Sequence, residues 1–377
     1  VTLLGEESYP PYERPPLSKA VLAGEADPQS TYIFKSDDLD AIDVAFLHDE
    51  KAAKIDRAGK RVICASGKEF DYDRLLLATG GRARPVSIDG LSASDILLLR
   101  TIEDAARIQT QLTNAREIAI IGGGWIGLEV AATARKAGLN VHLFELADRL
   151  CARAAPPILS DYLEDLHRRN NVHIHLKTAI ASAAKNGNNY QLTTDSGKTL
   201  SADLIVAGIG LIPNDGLAAA AGLAIDNGVV TDEMGQTSDP DIFAAGDVAN
   251  TFRPAYGRRI RLESWANAQN QGIAVAKAMM GLSPAKEDPP WFWSDQHGVN
   301  VQIIGLPDDS MEMIVRGEIS SDRFSIFYLA DERLKAAITI NSSNDMAVAK
   351  RLIARDIGTN RLSLEDSAIP LKKLLKS

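Results

Sequence analysis

The sequence predicts an α/β protein: two doubly wound, parallel-sheet domains followed by a C-terminal α+β domain. Three observations carry this. A glycine-rich strand–turn–helix starts at Ile118, a hairpin-then-strand pattern occurs twice, and alternating apolar segments take over after Pro289.

The glycine segment comes first. Ile118-Ala-Ile-Ile reads as a strand, Gly122-Gly-Gly124 as a tight turn, and Trp125-Ile-Gly127-Leu-Glu129 as a helix start. Val141-His-Leu-Phe-Glu145 follows as a second strand ending on an acid. An acid roughly twenty residues after the glycines is what a Rossmann-type dinucleotide fingerprint requires. Gly122 permits the turn, Gly124 lets backbone N–H groups approach a pyrophosphate, and Gly127 lets helix and strand lie close. The helix N-terminus favours the phosphate charge. Glu145 can take both hydroxyls of an adenosine ribose and repel a 2′-phosphate, which predicts NADH over NADPH; the nearby Arg149 is the one feature against it.

The repeat comes second. Ser66-Gly-Lys-Glu-Phe-Asp-Tyr-Asp73 is echoed by Ser196-Gly-Lys-Thr-Leu-Ser-Ala-Asp203. Each follows a strand-like run, turns at Ser-Gly-Lys and enters a buried-strand run, Leu75 to Gly80 in one and Leu204 to Gly210 in the other. This predicts two nucleotide-binding domains of one architecture. Val1-Thr-Leu-Leu-Gly-Glu6 then matches Val141 to Glu145, so the first domain lacks its own fingerprint here. By comparison with Ile118 to Asn140, about two dozen residues are expected to precede Val1.

The third region opens at Trp291. Val299 to Ile304 and Phe324 to Tyr328 alternate like antiparallel strands, and a helical pattern runs from Asn344 through Ile357. The expected division is therefore 1–98 with 217–288, 99–216, and 289–377, with a proline-rich linker over 282–290.

Composition narrows the function. The chain has 377 residues, 45% hydrophobic and 24% charged, enough for two or three cored domains. A net charge of -9 argues against a nucleic-acid partner. No apolar run approaches the roughly eighteen residues of a membrane span, and no secretory leader is expected. Two distant cysteines, Cys64 and Cys151, fit a reducing cytoplasm and argue against disulfides and thiolate metal sites. The six histidines show no ligand spacing, so no metal is expected.

Several motifs in order carry a resemblance across essentially the whole chain: Pro11-Tyr-Glu-Arg14-Pro-Pro-Leu-Ser-Lys19, Ala78-Thr-Gly80-Gly-Arg82-Ala-Arg-Pro85, the Gly122 fingerprint, Ile242-Phe-Ala-Ala-Gly246-Asp247, Glu263-Ser-Trp265-Ala-Asn-Ala-Gln-Asn-Gln-Gly272 and Trp291-Phe-Trp-Ser-Asp295. They resemble the FAD-dependent NADH:ferredoxin reductases of aromatic-ring dioxygenase systems, of the biphenyl and 3-phenylpropionate type. Putidaredoxin reductase and apoptosis-inducing factor are wider relatives.

The resemblance implies a glutathione reductase-like topology with FAD on the first domain and NADH on the second. It implies that Glu6 holds the FAD ribose, that Arg14, Thr79, Gly80 and Arg82 serve the pyrophosphate, and that Gly246 and Asp247 bind the ribityl chain. Ser264, Trp265, Ala268 and Trp293 would complete the flavin site; alone, each tryptophan reads as core. Gly122, Gly124, Trp125, Ile126, Gly127, Glu145 and Gly210 would bind NADH. Lys19 beside the flavin would pair with Glu129 beside the nicotinamide and stabilise negative charge on the reduced ring. Taken alone, Lys19 reads as a solvated turn cation and Glu129 as a first-turn helix acid.

The implied activity takes a hydride from NADH onto FAD and passes single electrons to a [2Fe–2S], Rieske-type ferredoxin and through it to a terminal oxygenase. The protein would be a cytoplasmic monomer or homodimer. Arg258, Arg259 and Arg261 are either a ferredoxin-steering patch or a solvated loop. Two rivals share the scaffold. A thiol-dependent disulfide reductase or NADH peroxidase needs a cysteine where the loop reads Pro15-Pro-Leu-Ser18-Lys19. An apoptosis-inducing-factor-like protein would carry basic nucleic-acid-binding surfaces.

Overall fold

The computed structural model describes residues 1–34, 38–39, 41–187, 189–283 and 288–375. Two compact units emerge. The first comprises Val1–Pro15, Asp27–Arg82 and Leu211–Glu287; the second comprises Pro16–Ala26, Ala83–Gly210 and Asp288–Ser377.

The second unit contains a five-stranded parallel sheet in the order Val172–His175, Asn140–Phe144, Glu117–Ile121, Leu204–Ala207, Leu97–Leu98. The fingerprint strand Glu117–Ile121 lies at its centre, with Ile118 and Ile120 fully buried, as a sheet covered on both faces demands. Asp203 secures its start by accepting the Arg116 and Glu117 amides at 2.8 and 3.0 Å. The helix Trp125–Lys136 begins directly after Gly124 and ends where Gly138 turns into the left-handed region at φ 88°. Another helix, Ile102–Leu112, starts with a capping box between Thr101 and Asp104. An antiparallel meander of Ile180–Asn186, Asn189–Thr194 and Thr199–Ala202 packs Leu192 and Ala202 against Ala119 and Ile205.

The first unit repeats this plan. Its meander is Ala52–Asp56, Arg61–Cys64 and Glu69–Asp71, followed by the strand Leu75–Leu77. The two Ser-Gly-Lys turns close identically. Cys64 N–H donates to Lys68 O and Gly67 N–H to Cys64 O, as Thr194 does to Lys198 and Gly197 to Thr194. Gly67 and Gly197 have φ of 88° and 81° with open space around them, so conformation alone selects glycine. Thr2–Leu4 pairs in parallel with Ala45–Leu47, and Leu75–Leu77 with Ile242–Ala244. Among the described residues these are two separate pairs, whereas their counterparts in the second unit share one sheet. The helix Trp265–Met279 packs Val275 against Phe243 and Ala245.

The C-terminal part of the second unit is a five-stranded antiparallel sheet ordered Trp291–Gln296, Val299–Ile304, Arg333–Ile340, Arg323–Ala330, Glu312–Glu318. The helix Ser343–Arg355 covers it with Met346, Ala349 and Leu352 against Ile304, Phe327 and Ala337. That helix stops two residues short of the expected Ile357, because Asp356 turns left-handed at φ 52°. The expected linker falls partly at 284–287, outside the described residues.

Two outcomes test this packing. A Cβ on Gly127 would lie 2.0 Å from the Gly122 carbonyl oxygen, so Gly127→Ala should cost about 1–3 kcal/mol in denaturant unfolding. The second concerns His167 on the helix Pro157–Arg169, which is 0% exposed. Burial first, then the neighbouring His297, push its pKa down to about 3. Below the ordinary histidine pKa the unfolded chain takes a proton that the native imidazole refuses. Stability should therefore fall as pH drops toward 3, with His167 contributing up to about 1.4 kcal/mol per pH unit. His167→Leu should flatten the slope of urea-unfolding free energy between pH 7 and 5; an unchanged slope contradicts this.

Candidate functional site

The proline-stiffened segment after Pro15 lies on the fingerprint helix of the second unit. Thr133 donates to Ser18 O at 2.9 Å, and Gln109 donates to Val21 O at 3.1 Å. This anchoring brings the two residues singled out as a catalytic pair together: Lys19 Nζ lies 2.8 Å from Glu129 Oε2. Glu129 is 3% exposed, so its charge must be met inside the protein. Lys19 and the Ser18 hydroxyl meet one carboxylate oxygen, and the Ser294 hydroxyl donates to the other at 2.5 Å. The three partners come from two segments far from Glu129 in sequence.

The glycine turn sits one helical turn away. Gly122 has φ 105°, and a Cβ there would meet Gly208 O at 2.6 Å. A Cβ on Gly124 would touch only Gly208 O, at 3.8 Å. Gly124 is the N-cap of the helix, a position glycine suits, and the space beside it is open. Glu145 is held in place: its Oε2 accepts the Gly123 N–H at 2.7 Å and its Oε1 the Ala147 N–H at 2.8 Å. Arg149 is turned inward, donating to Ala155 O, Ala152 O and Ser160 Oγ at 2.6–2.8 Å. Trp125 packs on Phe292, and Ile126 is 42% exposed at the helix start. Gly210, at φ 115°, places its backbone against Arg153, whose Nη2 would lie 3.1 Å from a Cβ. Arg153 is an exposed cation at this site that the sequence reasoning did not select.

The flavin-directed residues other than Lys19 and Trp293 lie in the first unit. Arg14 donates to Glu7 at 2.6 Å and to Tyr12 at 2.7 Å. Burial opposes the charge of Arg14, but Tyr12, Glu7 and Asp247 outweigh it and hold its pKa above the ordinary value. Gly246 turns at φ 77° beside Ala268, and its N–H donates to Gln271. Thr79, Gly80 and Arg82 gather on Asn214: Thr79 Oγ1 donates to Asn214 O at 2.7 Å, Asn214 N–H to Gly80 O, and Arg82 to Asn214 Oδ1. Ser264 caps the helix of Trp265 by accepting from Asn267 N. A guanidinium in electrostatic reach of a carboxylate, with glycine backbone beside it, is a donor–acceptor set that fits the pyrophosphate and ribityl hydroxyls of FAD. Glu6 differs in register from its expectation. By backbone hydrogen bonds Gly5 is the counterpart of Glu145, both donating to the third strand, and Glu6 stands one residue on, exposed and paired with Lys51. Trp293, in the second unit, stacks on Trp291 with centroids 5.1 Å apart.

The remaining candidates sort themselves by burial. Cys64 and Cys151 are free and buried, and burial raises both thiol pKa values, so neither is an activated thiolate. Arg258 and Arg259 are both exposed, Arg259 donating to Thr231 O and Asn250 O, and Arg261 pairs with Glu263. Among the described residues no group of three or more His, Cys, Asp or Glu could hold a metal, and no helix is long and apolar enough to cross a membrane. The signals for Asn214 and Ser294 were absent from local sequence, since each acts through distant partners.

Similarity to known proteins agrees with this geometry. A family model described as pyridine nucleotide-disulphide oxidoreductase matches residues 1–272, and one described as reductase C-terminal matches residues 291–375. The chain is 40% identical to putidaredoxin reductase CamA of Pseudomonas putida, covering 100% of this chain and 90% of that protein. It is 39% identical to the 3-phenylpropionate/cinnamic acid dioxygenase ferredoxin–NAD(+) reductase component of Photorhabdus laumondii, over 94% and 89%. The reductase in a covalent putidaredoxin reductase–putidaredoxin complex superposes with a TM-score of 0.95 at 39% identity, covering 100% of this chain and 91% of that one. The chain is a member of the pyridine nucleotide-disulphide oxidoreductase family, with the reductase C-terminal domain attached.

Proposed function

We propose that this protein is an FAD-dependent NADH:ferredoxin reductase that reduces a [2Fe–2S] ferredoxin serving an aromatic-ring dioxygenase. The single observation carrying the reading is the Lys19–Glu129 pair, its carboxylate buried, set one helical turn beyond the fingerprint glycines. When bound, FAD couples a two-electron hydride donor to one-electron acceptors, which no side chain can do. The chain's own residues bind, orient and supply charge. We assign 1–98 with 217–288 to FAD binding, 99–216 to NADH binding and 289–377 to an interface domain, with the difference that Pro16–Ala26 and 83–98 group with the second unit, where Leu97–Leu98 joins the fingerprint sheet, and 211–216 with the first.

In this reading Gly122, Gly124 and Gly127 admit the NADH pyrophosphate to the helix N-terminus, flanked by Trp125 and Ile126. Arg153 over Gly210 adds a cation. Glu145, pinned by two amides, accepts the ribose hydroxyls without reorganising, and Arg149 is committed elsewhere and so unable to favour a 2′-phosphate. Arg14, Thr79, Gly80 and Arg82 hold the FAD pyrophosphate. Gly246 and Asp247 take the ribityl chain, with Ser264, Trp265, Ala268 and Trp293 about the ring. Lys19 places a cation where negative charge develops, and Glu129 fixes that cation. Arg258 and Arg259 are the exposed side chains of the basic loop that would steer an acidic ferredoxin. Two buried, unpaired thiols support a cytoplasmic setting and speak against thiol-dependent disulfide chemistry.

Two measurements test this. Purified protein should show a stoichiometric flavin absorbance, and NADH should reduce a Rieske-type ferredoxin through it; reduction of a disulfide or peroxide substrate instead sinks the proposal. Glu145→Ala should lower the NADH-over-NADPH ratio of kcat/KM by about tenfold, since an acid that repels the 2′-phosphate is lost. An unchanged ratio removes Glu145 from coenzyme choice.

A further inference from the structure

Behind Glu129 runs a line of buried polar side chains that the proposed chemistry does not use. Ser294 and Gln296 are 0% and 1% exposed on the strand Trp291–Gln296, and His167 is 0% exposed on the helix Pro157–Arg169. Ser294 Oγ meets Glu129 Oε1 at 2.5 Å, Gln296 Nε2 meets Ser294 Oγ at 2.9 Å, His167 meets Gln296 Oε1 through Nε2 at 2.8 Å, and His297 Nε2 meets His167 Nδ1 at 3.2 Å.

The direction of every bond follows from the carboxylate. Ionised Glu129 only accepts, so the Ser294 hydroxyl donates to it. The Ser294 oxygen then accepts from the Gln296 amide, whose carbonyl must accept from His167 Nε2–H. His167 Nδ1 is left as an acceptor for His297 Nε2–H. Four donors in series thus point at one buried anion, and each polarises the next. His167 carries no charge of its own, because burial holds its pKa down to about 3.

The backbone is also bent to complete the line. His297 and Gly298 form a two-residue hairpin turn with φ of 51° and 76°, joining strands paired at Gln296 and Val299. Asn or Gly suits the first position of such a turn better than His. The turn sets the two imidazoles edge to face, with centroids 4.5 Å apart.

We infer that His167 is a positioning residue for Glu129, acting through Gln296 and Ser294 to fix which carboxylate oxygen faces Lys19. The inference rests on the reading of Lys19–Glu129 as the pair that serves the nicotinamide–flavin step. By occupying Oε1, the chain leaves Oε2 to the Lys19 ammonium and the Ser18 hydroxyl and holds the cation in one place.

The holoenzyme provides two independent readouts. In ¹⁵N NMR of the imidazoles, His167 should be the neutral Nε2–H tautomer, and Ser294→Ala should shift its ring signals. In stopped flow, His167→Leu and Ser294→Ala should each slow flavin reduction by NADH about tenfold, the loss of one hydrogen bond to a charged group, with the Kd for NADH little changed. His167→Gln, which keeps a donor toward Gln296, should recover most of that rate. In a Glu129→Gln background neither change should slow reduction further. An Nδ1–H tautomer, ring signals indifferent to Ser294→Ala, or rate losses that multiply with that of Glu129→Gln each overturn the inference. Should Glu129→Gln alone reduce as fast as wild type, the Lys19–Glu129 reading fails and takes the rate effect with it. The NMR signals then still decide whether the chain orients the carboxylate.

Discussion

A carboxylate with 3% exposure on the fingerprint helix is the constraint that organises the second unit. An ionised group so placed is tolerated only when the fold brings it partners, and Glu129 finds them on two segments remote from its own. The segment Pro16–Ala26 supplies Lys19 and Ser18, and the C-terminal strand Trp291–Gln296 supplies Ser294. Three stretches of one chain are thereby tied to a single oxygen pair. Removing one partner leaves the others holding a buried charge. Such a site is rigid by necessity.

Glycines of the fingerprint divide by physical cause. At 122 and 127 a side chain would strike the protein itself, with carbonyl oxygens at 2.6 and 2.0 Å. At 124 it would strike nothing closer than 3.8 Å. The first two positions are forced by the fold, and the third, the helix N-cap, leaves open space. Glu145 is likewise fixed: two backbone amides orient its carboxylate.

The two units share a plan down to the hydrogen bonds of their Ser-Gly-Lys turns, yet they spend it differently. In the second, the acid after the second strand stands in register with that strand's last ladder bond; in the first, Gly5 occupies that place and Glu6 follows it. A pattern match in sequence aligns the acids, whereas the backbone aligns their positions. Glu6 thus stands beyond the strand end, exposed and paired with Lys51.

Sequence by itself determined the α/β class, the repeat, the fingerprint and the antiparallel C-terminal sheet, because each rests on local periodicity and on glycine conformations that neighbouring residues declare. Lys19 and Glu129 were legible as candidates only through the order of motifs. Tertiary structure decided what sequence had no means to express: that Ser18, Ser294, Gln296 and His167 stand behind Glu129, that Asn214 gathers Thr79 to Arg82, and that Arg149 turns away while Arg153 lies over Gly210. These are polar contacts between segments up to 165 residues apart. A hydroxyl or amide reads alike in sequence whether it faces water or a buried anion, and only the packing that excludes water distinguishes the two.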